Sequence, residues 1–263
     1  MNTFKNKKLF LLDMDGTIYL DNDLFDGTLD FLEYVKSIGG KYIFLTNKSS
    51  KSVGKYVEKL GSMGISAEKD DFLTSTNATV LYLKDKKYNK IYALGTESFK
   101  EQLKEAGFNI TDKLEDDIDC LCMGFDTELT FQKLEDACIL LGRNVEYIAT
   151  NPDWVCPTWY GYVPDCGSVA EMIFKATKKR PKFIGKPQPD MALLAMKKFG
   201  YSKEQTILLG DRLYTDIACG INAGISTVFV LSGEGTIEDV ENGNEKPEFI
   251  FENIREFLNE LKK

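Results

Sequence analysis

The chain reads LFLLDMDGT from Leu9 to Thr17, so a run of large apolar residues ends in two carboxylates, a glycine and a hydroxyl. A short apolar run bounded by a turn signal is typical of a fully buried strand. Open α/β sheets bind ligands just beyond the carboxyl ends of such strands. Two close anions such as Asp13 and Asp15 are unfavourable there without a cation. We therefore expect a metal-assisted active site; the alternative is a turn whose Asp side chains cap a helix.

The amino-acid composition, length and net charge limit the classes of protein to which this chain can belong. The 263 residues are 43% hydrophobic and 28% charged, as in ordinary globular proteins, and the length favours one large domain or two. A net charge of −8 argues against nucleic acid and anionic membranes as partners, and no apolar run is long enough to span a bilayer. No secretory signal is recognisable, and the six cysteines fit neither a disulfide framework nor a zinc site. We therefore expect a cytoplasmic protein with no nucleic-acid or membrane partner.

The chain contains no histidine. This absence excludes Ser-His-Asp and Cys-His nucleophile systems in their usual form, as well as histidine-containing zinc sites. Acid-base and nucleophilic chemistry in this chain must therefore fall mainly to carboxylates and lysines.

Strand and helix patterns alternate along the chain, which predicts a doubly wound, parallel α/β sheet of Rossmann type. Thr215 is expected to cap a helix that runs to Ala223. The first and last blocks carry strands that end in acidic or hydroxyl residues, whereas the middle block has fewer. We therefore expect a discontinuous core domain, residues 1–76 and 180–263, with an inserted α/β cap domain at 77–179.

Three further strand ends carry polar side chains. Thr46 and Asn47 follow one apolar run, Lys186 follows a second, and Asp211 and Asp216 lie in the turn after a third. Each alone is an ordinary loop or helix-start feature, but together they suit phosphoryl transfer. A carboxylate that attacks a phosphate dianion meets a repulsion of about 8 kcal/mol, at ~4 kcal/mol per charge pair. Cations must offset that repulsion.

The same residues supply those cations and their ligands. Mg²⁺ prefers a few carboxylates together with water and substrate oxygens, and we expect Asp13, the Asp15 backbone and Asp211 to hold it. Lys186 supplies a second positive charge. Thr46 and Asn47 would donate hydrogen bonds to phosphoryl oxygens. Asp216 would orient a metal-bound water without binding the metal itself.

These motifs, in this order, resemble those of the haloacid dehalogenase superfamily, and specifically its phosphatases. In that family the first Asp of D-x-D-G-T is the nucleophile and the second is the general acid and base, which implies those roles for Asp13 and Asp15. The motif from Gly210 to Asp216 and the stretch Ala149–Asp153 are similar to the NagD and para-nitrophenyl phosphatase branch. The resemblance implies a large α/β cap and a small phosphorylated metabolite as substrate.

The inserted segment is expected to select that substrate. Asn151 and Asp153 directly follow a predicted strand, so they are the candidates for a specificity loop. Trp159 and Tyr160 could stack on a flat leaving group, or they could pack within the cap's own core. The sequence does not determine the oligomeric state, and a homodimer is one candidate.

Alternative functions remain at this point. A phosphomutase or phosphotransferase could use the same Asp13 and Asp15, but it would return the phosphoryl group to an acceptor other than water. A receiver-like module would hold a phospho-aspartate without turnover, and a non-catalytic binding protein would not react. A dehalogenase needs no metal cluster, and a nucleotide-binding oxidoreductase is disfavoured because neither glycine-rich nucleotide motif is present.

Overall fold

The computed structural model describes residues 4–49, 52–158 and 160–263. Trp159, one of the two aromatic candidates for substrate stacking, lies outside these residues. The strands of the described part of the chain are β1 (Leu9–Leu12), β2 (Tyr19–Leu20), β3 (Asp23–Leu24), β4 (Lys41–Thr46), β5 (Phe72–Thr74), β6 (Lys90–Leu94), β7 (Asn109–Thr111), β8 (Cys120–Met123), β9 (Glu146–Ala149), β10 (Val155–Thr158), β11 (Gly161–Pro164), β12 (Lys182–Phe183), β13 (Thr206–Gly210), β14 (Ser226–Val230) and β15 (Phe249–Phe251).

Helices lie between most of these strands. They are α1 (Thr28–Ser37), α2 (Val53–Ser62), α3 (Ser75–Asp85), α4 (Glu97–Glu105), α5 (Phe131–Gly142), α6 (Cys166–Thr177), α7 (Asp190–Phe199), α8 (Ala218–Ala223), α9 (Ile237–Asn242) and α10 (Ile254–Leu261). The chain divides into two compact units: Met1–Thr46, Val53–Leu73 and Lys186–Lys263 form the first, and Asn47–Ser52 and Thr74–Gly185 form the second.

The first unit is built on the sheet with strand order β15-β14-β13-β1-β4-β5. The central strand β1 pairs in parallel with β13 on one side and β4 on the other. Its four residues are completely buried, because helices cover both faces of a parallel sheet. The fold is therefore the parallel α/β class that the alternating pattern predicts.

Aromatic and aliphatic side chains form the core on one side of this sheet. Phe10 of β1 packs edge-on against Phe31 of α1, with ring centroids 5.6 Å apart. Phe257 of α10 lies beside Phe31 at 5.8 Å. All three rings are fully buried, so β1 is fixed firmly in the centre of the unit that carries Asp13 and Asp15.

The second unit has its own sheet, with strand order β12-β9-β8-β6-β7 and parallel pairing throughout. Helices α5 and α6 pack on it through apolar residues such as Leu140 and Ile173. The antiparallel hairpin of β10 and β11 belongs to the same unit. Each unit thus has a separate hydrophobic core, as a core and an inserted domain require.

One local prediction is wrong. Thr215 does not cap a helix, because it lies inside a π-helical turn, Leu213–Ile217, which leads directly into α8. A threonine just before a helical pattern is typical of a helix N-cap, but here the π-helical turn begins at Leu213, two residues before Thr215. Within the described part of the chain, no helix combines the length and apolar character needed to cross a bilayer.

Candidate active site

The carboxyl ends of neighbouring parallel strands bring the acidic residues together. Leu12, the last residue of β1, is in register with Leu209 of β13 and Phe44 of β4. The residue after it, Asp13, donates its backbone N–H to the Leu209 carbonyl at 2.9 Å. Carboxylate oxygens of Asp13, Asp211 and Asp216 all lie within 4.8 Å of one another. The motif residues that are most distant in sequence are therefore neighbours in the first unit.

Lys186 lies between two of these carboxylates. Its Nζ donates to Oδ1 of Asp13 at 2.5 Å and to Oδ1 of Asp216 at 2.6 Å. It also donates to the Leu45 carbonyl at 3.3 Å, at the end of β4. Burial lowers the pKa of this ammonium, but the two carboxylates outweigh burial and raise it above its usual value. Lys186 is therefore a fixed positive charge beside Asp13.

One lysine does not balance the negative charge of the cluster. Burial, followed by the charge of Asp216, raises the pKa of Asp13 well above its usual range, despite the opposing effect of Lys186. The same two causes, in the same order, raise the pKa of Asp211 to about 6. Buried carboxylates with raised pKa values and mutual repulsion are typical of a site that binds a cation.

The cluster is held closely by the surrounding backbone. Asp211 accepts a hydrogen bond from the Glu234 N–H at 2.8 Å, and Asp216 accepts one from the Arg212 N–H at 3.1 Å. A Cβ on Gly16 would lie 2.3 Å from Asp211 Oδ2, and Gly16 has a φ of +89°. Only glycine meets both conditions without strain, which accounts for the glycine of the D-x-D-G-T motif.

Arg212 is a charged residue of the site that the sequence analysis did not assign. Its Nε lies 2.8 Å from Oε2 of Glu234. Burial lowers the pKa of Arg212, but Asp13, Asp211 and Glu234 outweigh burial and raise it. Its position directly after Asp211 in the motif was the signal that could have identified it.

Asp15 has different partners from the three carboxylates of the cluster. Its Oδ2 accepts a hydrogen bond from the Tyr19 hydroxyl at 3.3 Å, and its Oδ1 lies 3.9 Å from Nζ of Lys59. The structure thus separates the two acids of D-x-D: Asp13 faces Lys186, whereas Asp15 faces Tyr19 and Lys59. Sequence patterns missed both partners, because Tyr19 and Lys59 resemble an ordinary core aromatic and an ordinary helix-surface lysine.

The predicted phosphate-binding pair is divided between the two units along the chain. Thr46 is the buried last residue of β4 in the first unit, whereas Asn47 begins a segment of the second. The Asn47 side chain donates to Oδ1 of Asp153 at 2.9 Å, and its carbonyl accepts from the Asn151 side chain at 2.9 Å. Asn47 and both residues of the predicted specificity loop therefore form one buried network.

That network is anchored within the second unit. The Asn151 side chain accepts from the Asp153 N–H at 3.0 Å, and the Ser75 hydroxyl donates to the Asn47 carbonyl at 2.6 Å. By contrast, Trp154 and Tyr160 are 52% and 64% exposed. In this unit, Trp154 and Tyr160 face solvent, whereas Asn151 and Asp153 are buried.

Comparison with known proteins gives consistent matches over the whole chain. Residues 10–109 match a family described as haloacid dehalogenase-like hydrolase, and residues 183–257 match one described as HAD-hydrolase-like. An acid sugar phosphatase of Staphylococcus aureus is 34% identical, over 98% of this chain and 100% of its own.

Two solved structures share the fold along nearly the full length. A 4-nitrophenylphosphatase from Thermotoga maritima is 41% identical with a TM-score of 0.93, covering 98% of this chain and 99% of its own. NagD from E. coli K-12 is 29% identical with a TM-score of 0.87, covering 95% and 98%. The similarity therefore includes both units.

Proposed function

Because this chain belongs to the haloacid dehalogenase-like hydrolases and is a phosphatase of their NagD-like branch, we propose that it hydrolyses phosphate monoesters of small metabolites through an aspartyl-phosphate, with Mg²⁺ as cofactor. The observation that carries this proposal is the group formed by Asp13, Asp211, Asp216 and Lys186: the buried Lys186 ammonium pairs with Asp13 and Asp216, and Asp211 lies beside these two carboxylates. Such a group combines a nucleophile, a cation site and a fixed positive charge.

Asp13 is the proposed nucleophile. It lies at the carboxyl end of the central strand, and its backbone is fixed by the hydrogen bond to the Leu209 carbonyl. A rigid strand end gives the attacking oxygen a defined direction, which is the main requirement for in-line displacement at phosphorus. Lys186, 2.5 Å from the Asp13 carboxylate, remains close to the oxygens that become negatively charged during transfer.

The acidic residues fit a divalent cation, and we propose Asp13, the Asp15 backbone and Asp211 as its protein ligands. Asp216 fits a supporting role better, because one of its oxygens accepts from Lys186 and the other from the Arg212 N–H. When bound, Mg²⁺ would offset the repulsion between the nucleophile and the phosphate dianion. The raised pKa values of Asp13 and Asp211 support this set, since both carboxylates lack sufficient positive charge around them.

Asp15 is the proposed general acid and base. It is two residues from the nucleophile on the same loop, and its side chain is 33% exposed, so it can reach a bound ester. Asp15 gives its proton to the leaving oxygen while Asp13 forms a bond to phosphorus. It then takes a proton from the water that attacks the aspartyl-phosphate. The bond from phosphorus to the ester oxygen breaks in the first step and releases the alcohol, and the bond from phosphorus to Asp13 breaks in the second and releases inorganic phosphate.

Thr46 and Asn47 are proposed to bind the phosphoryl oxygens. Thr46 directly follows Leu45, whose carbonyl accepts a hydrogen bond from Lys186. This contact places the Thr46 backbone next to the Lys186 site, and it supports the role of Thr46 more than that of Asn47. The inserted segment 77–179 is proposed as the specificity domain between the core segments 1–76 and 180–263, with Asn151 and Asp153 in its loop. The acid sugar phosphatase relative makes sugar phosphates the first substrates to assay.

The test is phosphate release from a panel of phosphorylated metabolites, with and without Mg²⁺. The panel includes sugar phosphates, nucleoside monophosphates, pyridoxal phosphate and phosphoglycolate, alongside 4-nitrophenyl phosphate. We expect Mg²⁺-dependent release that Asp13→Asn abolishes without lowering the melting temperature. Transfer of the phosphoryl group to a second sugar without free phosphate would instead indicate a phosphomutase. A stable phosphoprotein without turnover would indicate a receiver-like module.

A further inference from the structure

The Asp15 carboxylate is contacted by a different partner on each of its two oxygens. The Tyr19 hydroxyl donates to Oδ2 at 3.3 Å, and Nζ of Lys59 lies 3.9 Å from Oδ1. Lys59 also lies above the Tyr19 ring, with Nζ 3.8 Å from the ring centroid. Asp15, Tyr19 and Lys59 therefore form a closed set of three mutual contacts, which we call the Asp15 clamp.

Tyr19 is held rigidly in this clamp. Its side chain is fully buried in the core of the first unit, and its carbonyl accepts from the Gly16 N–H at 2.9 Å. Burial, followed by the neighbouring charge of Asp15, raises the pKa of the Tyr19 hydroxyl, so it remains a hydrogen-bond donor. A buried aromatic residue is an expected core feature, but its hydroxyl is directed at the second acid of D-x-D.

Lys59 reaches the clamp from helix α2. The buried residues Tyr56 and Leu60 fix this helix against the core. The Lys59 side chain is only 25% exposed, because it lies along the Tyr19 ring. A lysine ammonium above an aromatic face is attracted by the negative potential of the ring face. The ring thus holds the cation in place beside Asp15.

We propose that Tyr19 and Lys59 are positioning residues that orient the Asp15 carboxyl group for proton transfer to the leaving oxygen. The inference rests on the proposed function, since it assigns Asp15 the acid role. Both contacts are longer than an ordinary charge-assisted hydrogen bond. They therefore set the plane of the carboxyl group. Neither contact is a short, strong bond that would keep the carboxyl group from reaching the ester.

Loss of this orientation has a characteristic kinetic effect. Phenolate is a poor leaving group and needs the proton from Asp15, whereas 4-nitrophenolate leaves readily without it. Phenyl phosphate and 4-nitrophenyl phosphate have almost the same shape, so both should bind alike. Hydrolysis of the aspartyl-phosphate is common to both esters, so the comparison uses kcat/KM, which reports only the steps up to release of the alcohol. By this measure a misplaced acid will slow the first substrate much more than the second, but a general structural defect will slow both equally.

The experiment measures kcat and KM of the full-length enzyme with Mg²⁺ on both esters for Tyr19→Phe, Lys59→Met and Lys59→Arg. For Tyr19→Phe and Lys59→Met we expect kcat/KM on phenyl phosphate to fall roughly 10- to 100-fold, which is part of the ~10²–10⁴-fold that a general acid contributes. The fall in kcat/KM on 4-nitrophenyl phosphate should be less than about threefold. Lys59→Arg keeps the charge above the ring and should restore most of the rate.

Two control variants match these changes. Lys55→Met removes an exposed positive charge from the same helix. Tyr34→Phe removes a hydroxyl that donates to the Leu261 carbonyl in the same unit. Both should leave the ratio of the two rates at the wild-type value. Melting curves of all variants show that each one folds.

The outcomes separate the two proposals. No phosphate release by the wild-type enzyme from either ester would refute the proposed function, and this inference with it. An active wild type whose clamp variants lose equal rate on both esters would refute only the positioning role. A rise in KM on both esters with kcat unchanged would show that Lys59 binds substrate, which also overturns the inference. A selective loss on phenyl phosphate, with rescue by Lys59→Arg, supports it.

Discussion

Asp211→Asn should stabilise the protein in the absence of metal, although Asp211 is proposed to bind the cofactor. The pKa of Asp211 is raised from 3.8 to about 6, because the carboxylate is buried and lies beside Asp216. The folded state therefore holds a proton on Asp211 at pH values where the unfolded chain has released it. This contribution to stability is complete below pH ~4 and is lost as pH rises through about 6.

The size of the effect follows from the shift. About 2 pKa units at ~1.4 kcal/mol each amount to about 3 kcal/mol, as an upper limit for this residue alone. Asparagine carries no charge and can still accept the hydrogen bond from the Glu234 N–H. In EDTA, Asp211→Asn should thus equal the wild type near pH 4 and exceed it at pH 7 by up to about 3 kcal/mol.

The assay is thermal unfolding from pH 4 to pH 7.5, in EDTA and in excess Mg²⁺. Mg²⁺ should raise the wild-type melting temperature strongly at pH 7 and little at pH 4, because protons compete for the same carboxylates. The variant should gain little from Mg²⁺ at any pH. A wild type that is more stable than Asp211→Asn in EDTA at pH 7, or a Mg²⁺ effect independent of pH, would refute the reasoning.

Three further substitutions test other parts of the site. Lys186→Met leaves the Asp13 and Asp216 carboxylates without the ammonium that they share. Release of 4-nitrophenol should fall at least about 100-fold, as for the loss of one group that stabilises developing negative charge in the transition state, and an activity within tenfold of wild type would contradict its role. Gly210→Ala would place a Cβ 2.1 Å from the Asp216 Cβ, so the melting temperature and activity should both fall, whereas unchanged values would show that Asp216 can move freely. Asp153→Ala removes the acceptor of the Asn47 amide; the substrate ranking in the phosphate-release panel should change, and an unchanged ranking would remove this loop from specificity.

The sequence was sufficient to predict the parts of the site that depend on strand ends. Asp13 and Asp211 follow β1 and β13, which are adjacent strands of one parallel sheet, and such strands bring their carboxyl ends to one edge. Their carboxylate oxygens lie within 4.8 Å of each other. The topology of the sheet requires this proximity, so no knowledge of side-chain packing is needed. Lys186 also follows an apolar run, but the strand before it, β12, pairs with β9 in the sheet of the second unit, so its hydrogen bond to Asp13 does not follow from the strand order.

The remaining contacts depend on packing that periodicity does not encode. Lys59 lies on the polar face of an amphipathic helix, and its contact with Asp15 requires the position of α2 relative to the loop after β1. Asn47 forms a hydrogen bond to Asp153, 106 residues later in the chain. The π-helical turn at Leu213–Ile217 replaces an expected cap, since its hydrogen-bond pattern depends on the surrounding structure.

The most direct test of the central claim is mass spectrometry of enzyme quenched in acid during turnover of 4-nitrophenyl phosphate. Our account predicts one added phosphoryl group, on the peptide that contains Asp13, and none on the Asp13→Asn variant. Phosphate release without any phosphoenzyme, or with the phosphoryl group on another residue, would contradict it.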